Sequence, residues 1–133
     1  MSRLLGIDPG LRRIGLALSD EAQIIARPLE IIDRKVNDPA EVITDAVKKW
    51  EVSRIVIGYP TPLKTKENER TRQVDEFIEE YLIPLRVPVK KISERYTSRE
   101  AENLARQRGD KNAGDDQAAA LILQYYLNQK RSG

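Results

Sequence analysis

The chain has 133 residues, 33% of them charged and nearly balanced at a net +2, with no cysteine and no histidine. That length lets one domain bury a core without disulfide or metal staples. The missing side chains exclude a disulfide framework, a thiolate nucleophile, Ser/His triads and the usual zinc sites, so any metal has to be held by oxygen, which favours hard cations such as Mg²⁺ or Mn²⁺.

The first residues, MSRLLGIDPG, lack the long apolar region of a secretory signal, and no apolar run reaches the roughly eighteen residues of a membrane span. A soluble, cytoplasmic chain without membrane association is expected. Leu4 to Asp20 then reads as a β-hairpin. Leu5 and Ile7 alternate with Leu4, Gly6 and Asp8, Pro9-Gly10 supplies the reversal, and Ile14, Leu16 and Leu18 alternate with Gly15, Ala17 and Ser19. One face is large and apolar, the other made of small residues. Taken alone, Asp8 reads as the cap of a turn.

Gln23 to Ile32 is rich in Ile and Leu but carries Pro28, which points to an edge strand or a bulge. Asp38-Pro39-Ala40-Glu41 is a helix-start signature, and Val42, Ile43, Ala46, Val47 and Trp50 follow it at helical spacing. Ser53 to Gly58 is a short run rich in β-branched residues, as in a strand buried on both faces of a parallel pair. The stretch TPLKTKENERTR, with Lys64, Lys66, Arg70 and Arg72, reads as a basic loop over at least its first half. A helical stripe from Val74 through Phe77, Ile78, Tyr81 and Leu82 ends at Pro84. Val87 to Ser93 is a second parallel-type strand, Thr97-Ser98-Arg99-Glu100 opens a helix closed by Gly109, and Asp116 to Leu127 is a largely buried helix followed by a frayed tail over residues 128–133. The expected architecture is one α/β domain over residues 1–133, a mixed five-stranded sheet of three antiparallel and two parallel strands flanked by helices.

Sites in such sheets form where strand C-terminal ends open onto loops. Asp8 ends the first strand and Glu94 the last, so parallel strands would place both at one edge. Asp116 shares the stripe Asp116, Ala119, Ala120, Leu123 and so belongs to an inward face, although it or Asp115 could equally serve as the helix cap. Three clustered carboxylates repel one another unless cations intervene. Two divalent ions about 4 Å apart would meet that need and supply a two-metal clamp for attack of water on a phosphodiester, with Asp8 the bridging ligand. From Lys90 to Lys111 seven basic residues (Lys90, Lys91, Arg95, Arg99, Arg106, Arg108, Lys111) stand against four acidic ones (Glu94, Glu100, Glu102, Asp110). With Arg12, Arg13 and the 64–72 loop (Lys64, Lys66, Arg70, Arg72) they read either as a phosphate track around an acidic centre or as a solvated surface.

The segments GIDPGLRRIGLALSD, VIGYP, SERYTSREAENL and GDDQAAALILQYYL, in that order along almost the whole chain, resemble the YqgF/RuvX group of small bacterial RNase H-like proteins. That group has been proposed to resolve Holliday junctions and to finish the 5′ end of 16S ribosomal RNA. The resemblance implies an RNase H-like fold and an acidic metal site on Asp8, Glu94 and Asp116, with Arg13 and Arg95 contacting phosphate or ordering the carboxylates. Two of these motifs depart from the group's pattern. The TPLKTKENERT loop has no glycine, and Ser93 and Tyr96 flank Glu94-Arg95 where an aspartate and a leucine are more usual.

The expectation is therefore a divalent-metal-dependent nuclease, a hydrolase carrying two Mg²⁺ or Mn²⁺ ions, acting on structured RNA or branched DNA. Arg12, Arg13, Lys64, Lys66, Arg95 and Arg99 are its expected nucleic-acid contacts. Branched DNA would suit a symmetric homodimer, since two cuts fall at related positions, whereas RNA processing needs none. The ATPases of the actin, Hsp70 and sugar-kinase kind also place Asp and Gly near a hairpin tip, but they need a second domain for which this chain has no room. A catalytically inert RNase H-like binding or assembly module is the alternative from another class, and the filled acidic set argues against it.

Overall fold

In a computed structural model that describes residues 2–60, 69–94 and 114–132, with side chains of the last helix described over 117–130, the first stretch is the expected hairpin. β1 (Arg3–Pro9) pairs antiparallel with β2 (Arg13–Ser19), setting Leu5 against Leu18 and Ile7 against Leu16. β3 (Ala26–Asp33) pairs antiparallel with β2 at the edge of the sheet. Pro28 lies opposite Ala17, next to a register slip between Leu16 and Ala17. A residue that cannot donate to the ladder thus sits at an edge and at a bulge, where its missing N–H costs least.

The turn between β2 and β3 is organised by Asp20, whose Oδ1 accepts the amides of Ile24 at 2.7 Å and Ile25 at 3.0 Å. These donors, Ile25 first, hold its carboxyl below the usual carboxylate range. A lowered folded-state value means that the carboxylate's contribution to stability is present above its ordinary value and is lost as pH falls through the folded one. The Ile24 and Ile25 amides are expected to lose hydrogen-exchange protection as pH falls through that lowered value, and Asp20→Ala is expected to remove the pH dependence. Equal protection in the variant would refute this role.

α1 (Pro39–Lys49) starts as read: the Asp38 carboxylate accepts from the Ala40 amide at 3.1 Å, and Pro39 occupies the first turn. β4 (Val52–Tyr59) pairs in parallel with β1, and β5 (Val89–Ser93) in parallel with β4, giving the sheet order β3-β2-β1-β4-β5. α2 (Glu69–Phe77) begins five residues before Val74, because the buried stripe extends back through Thr71. It does not end at Pro84. A π turn over Ile78–Leu82 leads into a 3₁₀ turn over Ile83–Leu85 that takes in the proline, and Arg86 closes it at φ 59°. Changing the hydrogen-bond period avoids the clash a proline ring makes in an α-helix interior. The helix expected over 97–109 lies outside the described residues.

α3 (Gly114–Ser132) continues through most of the segment expected to fray. Gln129 and Lys130 are good helix formers, and the Lys130 ammonium reaches Gln23 Oε1 at 2.7 Å.

The two faces of the sheet divide the core as the alternation in β1 and β2 dictates. Leu5, Ile7, Ile14, Leu16, Ile55 and Ile57 pack with Ile43 of α1 and Val74 and Phe77 of α2. Leu4, Ala17, Val56 and Ile92 pack with Ala119, Ile122, Leu123 and Leu127 of α3. Each fully buried Leu or Ile contributes about 1.5–3 kcal/mol relative to an exposed one, so both helix layers are firmly held. Gly6 is what lets α3 lie so close: a Cβ there would stand 2.8 Å from Leu123 Cβ and 2.9 Å from the Ala119 carbonyl oxygen.

Candidate active site

β1, β4 and β5 run parallel, so their C-terminal ends open at one end of the sheet. Asp8 stands there on β1, half-buried, with the same parity as Leu4 and Gly6, and therefore on the α3 face. Glu94 follows β5 with the parity of Ile92 and is also half-buried. Between them lies Gly58 of β4. Strands β1 and β5 are two ladder spacings apart, about 10 Å, and the glycine in the strand between lets the Ile122 and Glu94 side chains lie against it. A Cβ at position 58 would stand 3.4 Å from Glu94 Cγ, 3.6 Å from Glu94 Oε1 and 2.6 Å from Ile122 Cδ1. The structure thus brings two of the three expected carboxylates to one face and one end of the sheet.

The third comes from α3. Gln124, late in that helix, bonds the amide of Ala26 at 2.8 Å and the carbonyl of Ile24 at 2.9 Å, beside the N-terminal end of β1. The helix therefore runs back along the sheet, and its first turn, with Asp116, begins at the end where β1 and β5 finish. The Asp116 side chain lies outside the described residues. Among those described, no group of three Asp or Glu gathers to hold a metal ion. The donors are all carboxylate oxygens, as hard cations prefer.

Arg70 was counted in the sequence only as part of a basic loop, yet it belongs to this site. From the first turn of α2 its Nη2 donates to the Pro9 carbonyl at 2.7 Å and lies 3.7 Å from Glu94 Oε1. One guanidinium therefore touches the residue after Asp8 and the carboxylate across the gap. A neighbouring arginine braces the same turn: Arg34 Nη1 donates to the Gly10 carbonyl at 3.1 Å while its guanidinium lies over the rings of Phe77 and Tyr81. The sequence did hold a signal for Arg70. With Val74, Phe77 and Ile78 it forms the set i, i+4, i+7, i+8, a cation on the buried stripe of a helix.

The other expected contacts divide. Arg12 and Arg13 are exposed on the hairpin tip, next to Leu11, which is 65% exposed. Lys91 instead pairs with Asp75 at 3.2 Å and lies over the Tyr59 ring, and Arg72 pairs with Glu69, so these two are engaged within the protein. Lys64, Lys66, Arg95 and Arg99 lie outside the described residues. No helix among the described residues is long and apolar enough to cross a membrane.

A parallel pair and a meander in one sheet, with carboxylates where the parallel strands end, define an RNase H-like fold of the RuvC kind. RuvC from T. thermophilus, solved in complex with a Holliday junction substrate, superposes with a TM-score of 0.62 at 17% identity, covering 98% of this chain and 96% of that one. The fowlpox virus Holliday junction resolvase superposes at 0.55 with 10% identity, covering 96% and 99%. At these identities the likeness is one of fold.

The sequence carries the assignment further. Residues 2–129 match the family described as RuvX: Holliday junction resolvase, and the chain belongs to that family. A protein of Sulfurihydrogenibium sp. named "Putative pre-16S rRNA nuclease" is 43% identical, covering 97% of this chain and 92% of its own. One of the same name from Dictyoglomus turgidum is 37% identical, covering 95% and 94%.

Proposed function

We propose that this chain is a divalent-cation-dependent nuclease that hydrolyses phosphodiester bonds in structured RNA, in the maturation of the 16S ribosomal RNA 5′ end. The observation that carries the reading is the meeting of Asp8 and Glu94 on one face across Gly58, at the end of the sheet where α3 begins with Asp116 in its first turn. The names of the relatives matched over nearly their whole length support precursor 16S RNA as the substrate.

Asp8, Glu94 and Asp116 would hold the cations. Bound there, Mg²⁺ or Mn²⁺ supplies an activated water and a counter-charge for the leaving 3′ oxygen. The protein's own part is positioning. The ladders of β1 and β5 set the two carboxylates at the strand ends, and Gly58 lets the Glu94 side chain lie close against β4. Arg12 and Arg13 on the exposed hairpin tip present positive charge to the flanking phosphates, contacts that place a strand without reading its sequence. Cleavage then follows the shape of the substrate rather than its bases.

The test is cleavage of a labelled precursor 16S 5′ leader and of a four-way DNA junction, in Mn²⁺ and in Mg²⁺. The leader is expected to be cut in either metal and in neither once the metal is chelated. Cutting of the junction alone would move the function to resolution of branched DNA. Binding of both without cutting would replace the nuclease with an inert binding module on the same fold.

A further inference from the structure

We infer that Arg70 is a positioning residue that couples cation binding to nucleic-acid binding by exchanging its partner between Glu94 and a substrate phosphate. This rests on the nuclease reading and concerns residues of the same site. The guanidinium lies 3.7 Å from Glu94 Oε1, an ion-pair distance rather than a hydrogen bond, while the same Nη2 donates to the Pro9 carbonyl at 2.7 Å. Its hold on the backbone is therefore the shorter contact and its hold on Glu94 the looser one. Both side chains are about a third exposed, at 33% and 28%, so the pair sits at the mouth of the site where an incoming strand can reach it.

Glu94 has one carboxylate to offer, and a cation at that carboxylate and a guanidinium beside it repel each other. Without nucleic acid, Arg70 supplies the positive charge next to Glu94 and opposes cation entry. Arginine carries five N–H donors, of which the Pro9 bond uses one. A phosphodiester arriving at the strand ends presents oxygens to the remaining donors in the planar geometry that guanidinium prefers. Drawn to the phosphate and still tethered to Pro9, Arg70 leaves Glu94 to the cation. The coupling is reciprocal: nucleic acid tightens cation binding by the factor by which the cation tightens nucleic-acid binding. The enzyme thus assembles its cation site where a phosphate is present.

The experiment is titration of Mn²⁺ into the full chain, with free Mn²⁺ read by electron paramagnetic resonance, with and without a 5′-phosphorylated RNA hexanucleotide. Wild type, Arg70→Gln, Arg70→Lys, Arg34→Ala and Asp8→Asn are compared. In Arg70→Gln, Mn²⁺ is expected to bind about tenfold tighter without RNA, and the tightening produced by RNA is expected to shrink by a similar factor. Arg70→Lys is expected to keep the weak affinity of the wild type. Arg34→Ala, which loosens the same turn without removing charge beside Glu94, is expected to bind Mn²⁺ as the wild type does. Unchanged affinity and coupling in Arg70→Gln, or the same change in Arg34→Ala, would overturn the inference and leave Arg70 a brace on the turn. Wild type and Asp8→Asn giving identical isotherms would overturn the cation site itself, and with it the nuclease reading.

Discussion

Replacing Asp8 with asparagine is expected to leave the fold intact and to lower cleavage at least about a hundredfold, the scale on which a group that stabilises developing charge counts. Asn matches the shape of Asp, and the neighbours that hold β1 in place, Leu5 and Ile7 on one face and Leu4 and Gly6 on the other, do not depend on the charge. What is lost is the anion at the end of the strand. An amide oxygen is a weak ligand for a hard cation, and the position cannot bridge two ions. Turnover of the 16S leader, read beside a thermal melt, checks both halves. A variant that melts like the wild type and cuts at full rate would show that Asp8 only turns the chain between β1 and β2.

The Asp8 reading was legible because its causes are local. Period-two alternation in LLGID sets the face on which Asp8 lies, and the two core clusters divide accordingly, with Leu5, Ile7, Ile14 and Leu16 in one and Leu4 and Ala17 in the other. Pro28 announced both the edge and the bulge of β3. Glu94 was legible as the end of a parallel-type strand, and the parity that puts it with Ile92 was already in VPVKKIS. Less legible were features that depend on contacts far along the chain. Arg70 meets Pro9 across 61 positions, and although its spacing to Val74, Phe77 and Ile78 turns it inward, nothing local names the partner it meets there. Lys91 and Arg72, read as part of a phosphate track, are paired with Asp75 and Glu69, partners that only the packing of α2 against β5 and the first turn of α2 bring into reach. Pro84 misled for a different reason. A proline forbids continuation of an α-helix but not a change of helical period, and the π and 3₁₀ turns of 78–85 use that freedom.

Gly6 and Gly58, both on the α3 face, should respond differently to added carbon. At position 6 the atoms in the way are the Ala119 carbonyl and Leu123 Cβ, both fixed to the helix backbone, at 2.9 and 2.8 Å. Gly6→Ala therefore has to lift α3 from the sheet. Overpacking of this kind costs about 1–3 kcal/mol, enough to lower Tm by several degrees. Activity per folded molecule should also fall, since α3 carries Asp116 in its first turn. At position 58 the nearest atom is Ile122 Cδ1, the end of a rotatable side chain, so Gly58→Ala is expected to cost no more than about 1 kcal/mol. The larger side chain of Gly58→Val would project toward the Glu94 carboxylate. Displacement there by even an ångström can cost about a hundredfold in rate, so this variant is expected to lose most of its cleavage while melting only a few degrees below the wild type, since buried Ile122 must also give way. If Gly58→Val cuts normally, the gap between Asp8 and Glu94 is not where the phosphodiester lies, and the site has to be sought on another side of these carboxylates.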